Sequence, residues 1–189
     1  TVGGAYENYV TPEMCVPEKP LRVPWESCLT LGADFNYAYG DHYKSQRELV
    51  NLLVNIVAKG GNMALNVSPQ PDGRIPVEAW ESLRGLGAWM QTYGEAIYGT
   101  RICAPYQSGN LAFTQKGDTV YAIRLYPEEG EAVEEELLIP YQEKIRGISM
   151  VDTKKAVEWQ ITEEGIRMVI PKEYREGDTP IAIVWKIER

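Results

Sequence analysis

The hydrophobic pattern of this chain changes period along its length. Leu49, Leu52, Leu53, Ile56 and Val57 recur at helical spacing and form one apolar stripe. Ser45 opens that stripe with Glu48 three residues on, the pattern of a capping box, and Gly60 and Gly61 stop it. Met63 to Val67 is a short apolar run and predicts a strand, with Pro69, Pro71, Asp72 and Gly73 as the turn after it. A second helix is predicted from Pro76, with Glu78 and Glu81 at its positive end and Tyr93 and Gly94 closing it. Its expected buried face is Trp80, Leu83, Leu86, Gly87 and Met90. Helix, strand, loop and helix in that order are a parallel α/β unit.

After about Thr100 the period becomes two. Candidate strands are Leu111 to Gln115, Thr119 to Leu125, Glu134 to Ile139, Ile145 to Met150, Val157 to Thr162, Gly165 to Ile170 and Ile181 to Ile187. Short strands so closely spaced predict an antiparallel sandwich, with the boundary near residue 102. The expected fold class is therefore α/β followed by all-β. Before Lys44, aromatic residues interleave with Pro12, Pro17, Pro20 and Pro24, which reads as ordered loops joined by short strands. Such loops commonly carry binding residues.

Composition narrows the function. With 189 residues, 44% of them hydrophobic, the chain can bury a core of one large or two small domains. Its apolar runs are far shorter than the roughly 20 residues of a membrane helix, so no membrane partner is expected. A net charge of -8 and the stretch PEEGEAVEEE argue against a nucleic-acid partner and favour an uncharged or weakly polar ligand. Glu131 to Glu136 read as a solvated hairpin edge. Cys15, Cys28 and Cys103 match no metal-ligand spacing, while a Cys15–Cys28 bridge stays open. The single histidine, His42, is expected on a loop, and with it alone no hydrolytic triad is expected in this chain. No phosphate-binding glycine loop is present. The chain starts at Thr1 with no leader, as expected of a processed chain or a fragment, and this assigns no compartment.

The candidate chemistry is carboxylate chemistry. Glu13 in YVTPEMC and Glu26 in VPWESC sit among aromatic residues, a setting that suits a general acid, although a solvated or capping glutamate is the plainer reading. Tyr37 and Tyr39 in NYAYG, with Trp25 beside them, offer either a platform for a sugar face or core packing. Asn66 ends the predicted strand, where it is a turn former or, in a β/α barrel, part of the active-site rim.

Taken together, TPE at 11–13, PWESC at 24–28, NYAYG at 36–40, KGGNMALNVSPQPDGRIP at 59–76 and GEAIYGTR at 94–101 resemble the C-terminal part of the α-L-fucosidases of glycoside hydrolase family 29. The resemblance implies a retaining exo-glycosidase that releases terminal α-L-fucose from glycans and uses no cofactor or metal. It implies that 1–101 are the last segment of a (β/α) barrel-like catalytic domain and 102–189 a C-terminal β-sandwich. It implies that Glu13 takes the acid/base position, with Glu26 as runner-up, and that Tyr37 lines the fucose pocket; Trp25 and Asn66 stand beside them as substrate-binding candidates on the readings above. NYAY departs from the usual Trp-Gly-Tyr form, which alters the packing expected around C6 of the sugar. The nucleophilic Asp and the fucose-binding histidines are expected upstream, so the N-terminal part of the same domain is an expected partner and the fragment alone is expected to be inactive. A partial barrel leaves sheet edges unpaired, so self-association into a homo-oligomer is also expected. Family members work in lysosomal, periplasmic or secreted settings. The competing class is a non-catalytic carbohydrate-binding or scaffold module with the sandwich as its working part.

Overall fold

The computed structural model describes residues 8–141 and 143–189. The fold is mixed α/β with antiparallel sheets, and it forms two compact units that meet in sequence between Gln91 and Thr92.

In the first unit, strand β1 (Glu26–Thr30) pairs in parallel with β2 (Asn62–Asn66), from Glu26 opposite Asn62 to Thr30 opposite Asn66. Residues 10–14 run along the other side of β1, also parallel, through bridges from Val10 to Trp25 and from Glu13 to Cys28. Helix α1 (Gln46–Ala58) joins β1 to β2, and α2 (Val77–Tyr93) follows β2. The capping box that starts α1 forms as expected: Ser45 Oγ accepts from the Glu48 N–H at 3.2 Å, and the Glu48 carboxylate accepts from the Ser45 N–H at 2.7 Å.

Side chains alternate across a strand, so the sheet has two unlike faces. One carries Trp25, Leu29, Leu31, Met63, Leu65 and Val67, which pack into two clusters with Ile56 and Leu49 of α1 and Ala79 of α2. The other carries Glu26, Cys28, Thr30, Asn62, Ala64 and Asn66, all exposed or half-buried except Thr30. Gly61 lies so close under the Trp25 ring that a Cβ there would overlap the indole, which explains glycine at the entry to β2.

One expectation fails in this unit, and one open question closes. Trp80 was expected on the buried face of α2 and is 45% exposed, with the Arg84 guanidinium 5.7 Å from its ring centre. Ala79 takes the buried place and packs with Leu83 and Leu86 of the expected face, and Trp89 is buried as well. The bridge left open between Cys15 and Cys28 does not form; both thiols are free.

The second unit has a five-stranded sheet and a three-stranded one. The first has the order β3 (Gln107–Ser108), β4 (Leu111–Lys116), β5 (Thr119–Leu125), β10 (Ala182–Glu188), β7 (Gly147–Met150). The second has the order β6 (Glu136–Ile139), β9 (Gly165–Val169), β8 (Trp159–Thr162). All pairs are antiparallel. Phe113, Ala122, Trp185 and Ile187 of the larger sheet share one buried cluster with Leu137, Ile139, Ile166 and Met168 of the smaller. Each expected strand forms within two residues of its expected ends. Gly165 turns the β8–β9 hairpin at φ 143°, where a Cβ would strike the Ile139 carbonyl.

The acidic stretch before β6 is not simply a solvated edge. Arg124 reaches across to Glu134 at 2.7 Å and Glu131 at 3.3 Å, and Glu134 also accepts from the Tyr126 hydroxyl at 3.0 Å. Burial opposes ionisation of Glu134, yet Arg124 and Tyr126 hold its carboxyl below the usual range. A planar guanidinium fork can hold two carboxylates together, so charge spacing alone misread this loop.

Candidate functional site

The ends of the parallel strands of the first unit collect the polar side chains. Glu13 is exposed and stands level with Cys28, and its backbone is fixed on both flanks. The Cys28 N–H donates to the Pro12 carbonyl at 2.9 Å, and the Met14 N–H donates to the Cys28 carbonyl at 2.9 Å. Met14, the next residue, adopts φ 52°, a left-handed conformation that costs a non-glycine residue about 1–3 kcal/mol and persists only where its surroundings enforce it. Fully buried side chains supply that enforcement: Ser27 Oγ donates to the Cys15 carbonyl at 2.8 Å, and Thr30 Oγ1 contacts Met14 Sδ at 3.7 Å.

Glu26 shares the sheet face of Glu13 but begins β1, two residues before Cys28. At ~3.3 Å per residue it lies roughly 6–7 Å nearer the N-terminal end of the sheet. Trp25 is not on that face. It is 1% exposed on the opposite face, packed against Leu29 and Ile56, because odd-numbered positions of this strand point toward α1. The indole expected beside Glu26 is therefore across the sheet from it.

Asn66 ends β2 and ties down the loop that follows β1. Its Nδ2 donates to the Phe35 carbonyl at 3.1 Å and to Ser68 Oγ at 3.0 Å, while Ser68 Oγ donates to the same carbonyl at 2.7 Å. The loops after β1 and β2 thus become the walls of one open cleft of about 530 Å³. Tyr37 lines it together with Tyr39, Asp41, Tyr43, Arg74 and Glu78. The Asp41 carboxylate shapes the first wall by accepting from the N–H groups of Ala33 at 3.2 Å and His42 at 2.8 Å. Lys44 Nζ donates to the carbonyls of Thr30 at 2.7 Å and Gly32 at 3.3 Å, fixing the strand end. Burial first, then Asp41, Tyr37 and Glu78, push the Tyr43 hydroxyl up, so that phenol stays protonated across the neutral range. Arg74 is drawn to Asp72, its Nε donating at 2.7 Å, so its guanidinium is already paired at the cleft edge.

The structure therefore brings Glu13 and Glu26 onto one sheet face and Tyr37 into the cleft, assigns Asn66 to loop support, and buries Trp25. Sequence reading missed Ser27, Thr30, Asp41 and Lys44. The signal for the first two was the alternation of Trp25, Ser27, Leu29 and Leu31 with Glu26, Cys28 and Thr30. Among the described residues no cluster of three or more His, Cys, Asp or Glu could hold a metal ion. None of their helices is long and apolar enough to cross a membrane.

Carboxylates and tyrosine rings thus lie near the ends of parallel strands in a mixed α/β unit, ahead of a unit built mainly of antiparallel sheets. Comparison with known proteins gives the family of the chain. The model of the family described as Alpha-L-fucosidase matches residues 1–95, half of the chain, and the chain belongs to that family. An α-L-fucosidase of Branchiostoma floridae is 31% identical over 160 residues, covering 78% of this chain and 34% of that protein. Among solved structures, α-L-fucosidase isoenzyme 1 from Paenibacillus thiaminolyticus aligns with a TM-score of 0.84 and 26% identity over 96% of this chain and 45% of its own. The Thermotoga maritima α-fucosidase solved in complex with fucose aligns with a TM-score of 0.80 and 29% identity over 98% of this chain and 43% of its own. The chain thus spans about a third of the curated relative and less than half of the solved chains it matches.

Proposed function

We propose that the parent protein is a retaining exo-α-L-fucosidase acting on terminal α-L-fucose of glycans, and that this chain supplies its acid/base and part of its sugar pocket. In this reading 1–101 are the last units of a (β/α) barrel-like domain and 102–189 its C-terminal β-sandwich. The observation that carries it is the setting of Glu13: an exposed carboxylate near the end of its own segment 10–14, level with Cys28 in the middle of β1, on the polar sheet face and followed by a left-handed residue. Active sites of β/α barrels gather at the C-terminal ends of the strands, which favours Glu13 over Glu26, two residues lower.

Glu13 donates a proton to the glycosidic oxygen as the bond to fucose breaks, while a carboxylate from the upstream part of the domain takes C1. Glu13 then removes a proton from water, and the resulting hydroxide displaces the enzyme carboxylate. Retention needs the two carboxyls about 5–5.5 Å apart, so the upstream segment must pack against this sheet face. Tyr37 contributes a pocket wall, and Asn66 acts by holding the loop that carries Tyr37.

The test is hydrolysis of fucosides by the parent protein, by this chain alone, and by the parent carrying Glu13→Gln. Activity is expected only with the upstream part present. Glu13→Gln should slow substrates with poor leaving groups by about 10²–10⁴-fold and barely affect those with good ones, because only the former need protonation. Equal losses on both would remove Glu13 from the acid/base role.

A further inference from the structure

We infer that Met14 is a modification site for peroxide, and that converting its thioether to a sulfoxide displaces the neighbouring Glu13. The site stands on geometry alone; its effect on turnover rests on the fucosidase reading above. Of the five methionines Met14 is the exposed one, at 48%, whereas Met63 and Met90 are half-buried and Met150 and Met168 are buried. Peroxide oxidises the sulfur atoms that solvent reaches. A sulfur lone pair attacks one peroxide oxygen, an S–O bond forms as the O–O bond breaks, and the second oxygen leaves as water with the proton of the first. The sulfur is oxidised and the peroxide reduced, with no other reactant.

Exposure alone would make Met14 an ordinary target, but its sulfur is also tied to the fold. Sδ lies 3.7 Å from Oγ1 of Thr30, a fully buried residue. A hydroxyl has one proton to give, and Thr30 donates at 2.7 Å to the Gly32 carbonyl. That carbonyl also accepts from Lys44 Nζ at 3.3 Å, in the loop that carries Tyr37. A thioether is a weak acceptor, whereas a sulfoxide is polar and its oxygen needs a place of its own. Turned toward Thr30, the new oxygen competes with Gly32 for the hydroxyl and crowds Oγ1. Turned away, it draws the side chain off Thr30 and into water. Either movement acts on a backbone at φ 52°, which persists only through its surroundings. The Met14 N–H, bonded to the Cys28 carbonyl at 2.9 Å, is one of the two main-chain bonds that seat Glu13 beside β1.

The test treats this chain and its parent protein with limiting hydrogen peroxide and maps the products by mass spectrometry. Met14 sulfoxide should form at least about tenfold faster than sulfoxide at Met150 or Met168. In the parent, its accumulation should track a loss of about ten- to hundredfold in turnover of fucosides with poor leaving groups, and a much smaller loss on those with good ones. The two stereospecific methionine sulfoxide reductases should restore the rate. Met14→Leu, each sample compared with its own untreated rate, should show no such loss. Even oxidation across the five methionines, or Met14 oxidised late, overturns the site. A loss that persists in Met14→Leu, resists the reductases or falls equally on both kinds of substrate overturns the link to Glu13 and points to the exposed thiol of Cys15. A parent that hydrolyses no fucoside before treatment removes the fucosidase reading, while the peptide map still decides the site.

Discussion

Ser27 is a small residue with a large structural task. Fully buried, it donates to the carbonyl of Cys15 one residue after the left-handed Met14, so it holds the turn that follows Glu13. The acceptor belongs to the exposed Cys15, which water can reach, so removing the donor costs only about 0.5–1.5 kcal/mol, the net worth of one hydrogen bond. Ser27→Ala should therefore lower the urea midpoint with little change in slope. In the parent enzyme it should also depress turnover of poor leaving groups more than good ones, because the proton donor loses its fixed position. A variant with unaltered stability and unaltered leaving-group dependence would show that Met14 is enforced by the main chain alone.

At the level of elements, α1 matters most, since it covers the apolar sheet face and delivers the chain from β1 to β2. Its start depends on the reciprocal bonds between Ser45 and Glu48. The Glu48 carboxyl is held below its ordinary value, chiefly by the Ser45 N–H and against some burial. A depressed carboxylate stabilises the fold at pH above its ordinary value and loses that effect as pH falls through the folded one. Ser45→Ala should cost about 1 kcal/mol near neutrality. The stability gap between the wild type and Glu48→Gln should close as the pH is taken below about 4. Thermal unfolding measured at several pH values reads both effects, and a gap that widened in acid would contradict the cap as its source.

Across the whole molecule, the polar face of β1 and β2 and the free edge of β2 dominate the expected behaviour. Among the described residues β2 pairs only with β1, so its outer main-chain groups remain open to another strand. The isolated chain should self-associate in light scattering and form a one-to-one complex with the upstream segment of its parent. A monodisperse monomer indifferent to that segment would count against the barrel reading. The sequence by itself determined the elements: the stripe from Leu49 to Val57 with its Ser45 and Glu48 cap, the Met63 run, and the strands after residue 110. Helical and strand periods and turn residues are local signals, and local signals survive in one dimension. It also offered Glu13, Glu26 and Tyr37 as candidates. Only the tertiary structure decided which side of the sheet each residue faces and which loops meet. That buried Trp25 beneath α1, turned Trp80 to water, folded Glu131 and Glu134 onto Arg124, gave Ser27 its bond to Cys15, and assembled a cleft from loops some thirty residues apart. These outcomes depend on strand register and on the rotation of a helix against a sheet. Both are set by packing between distant segments, which no residue's neighbours in the chain encode.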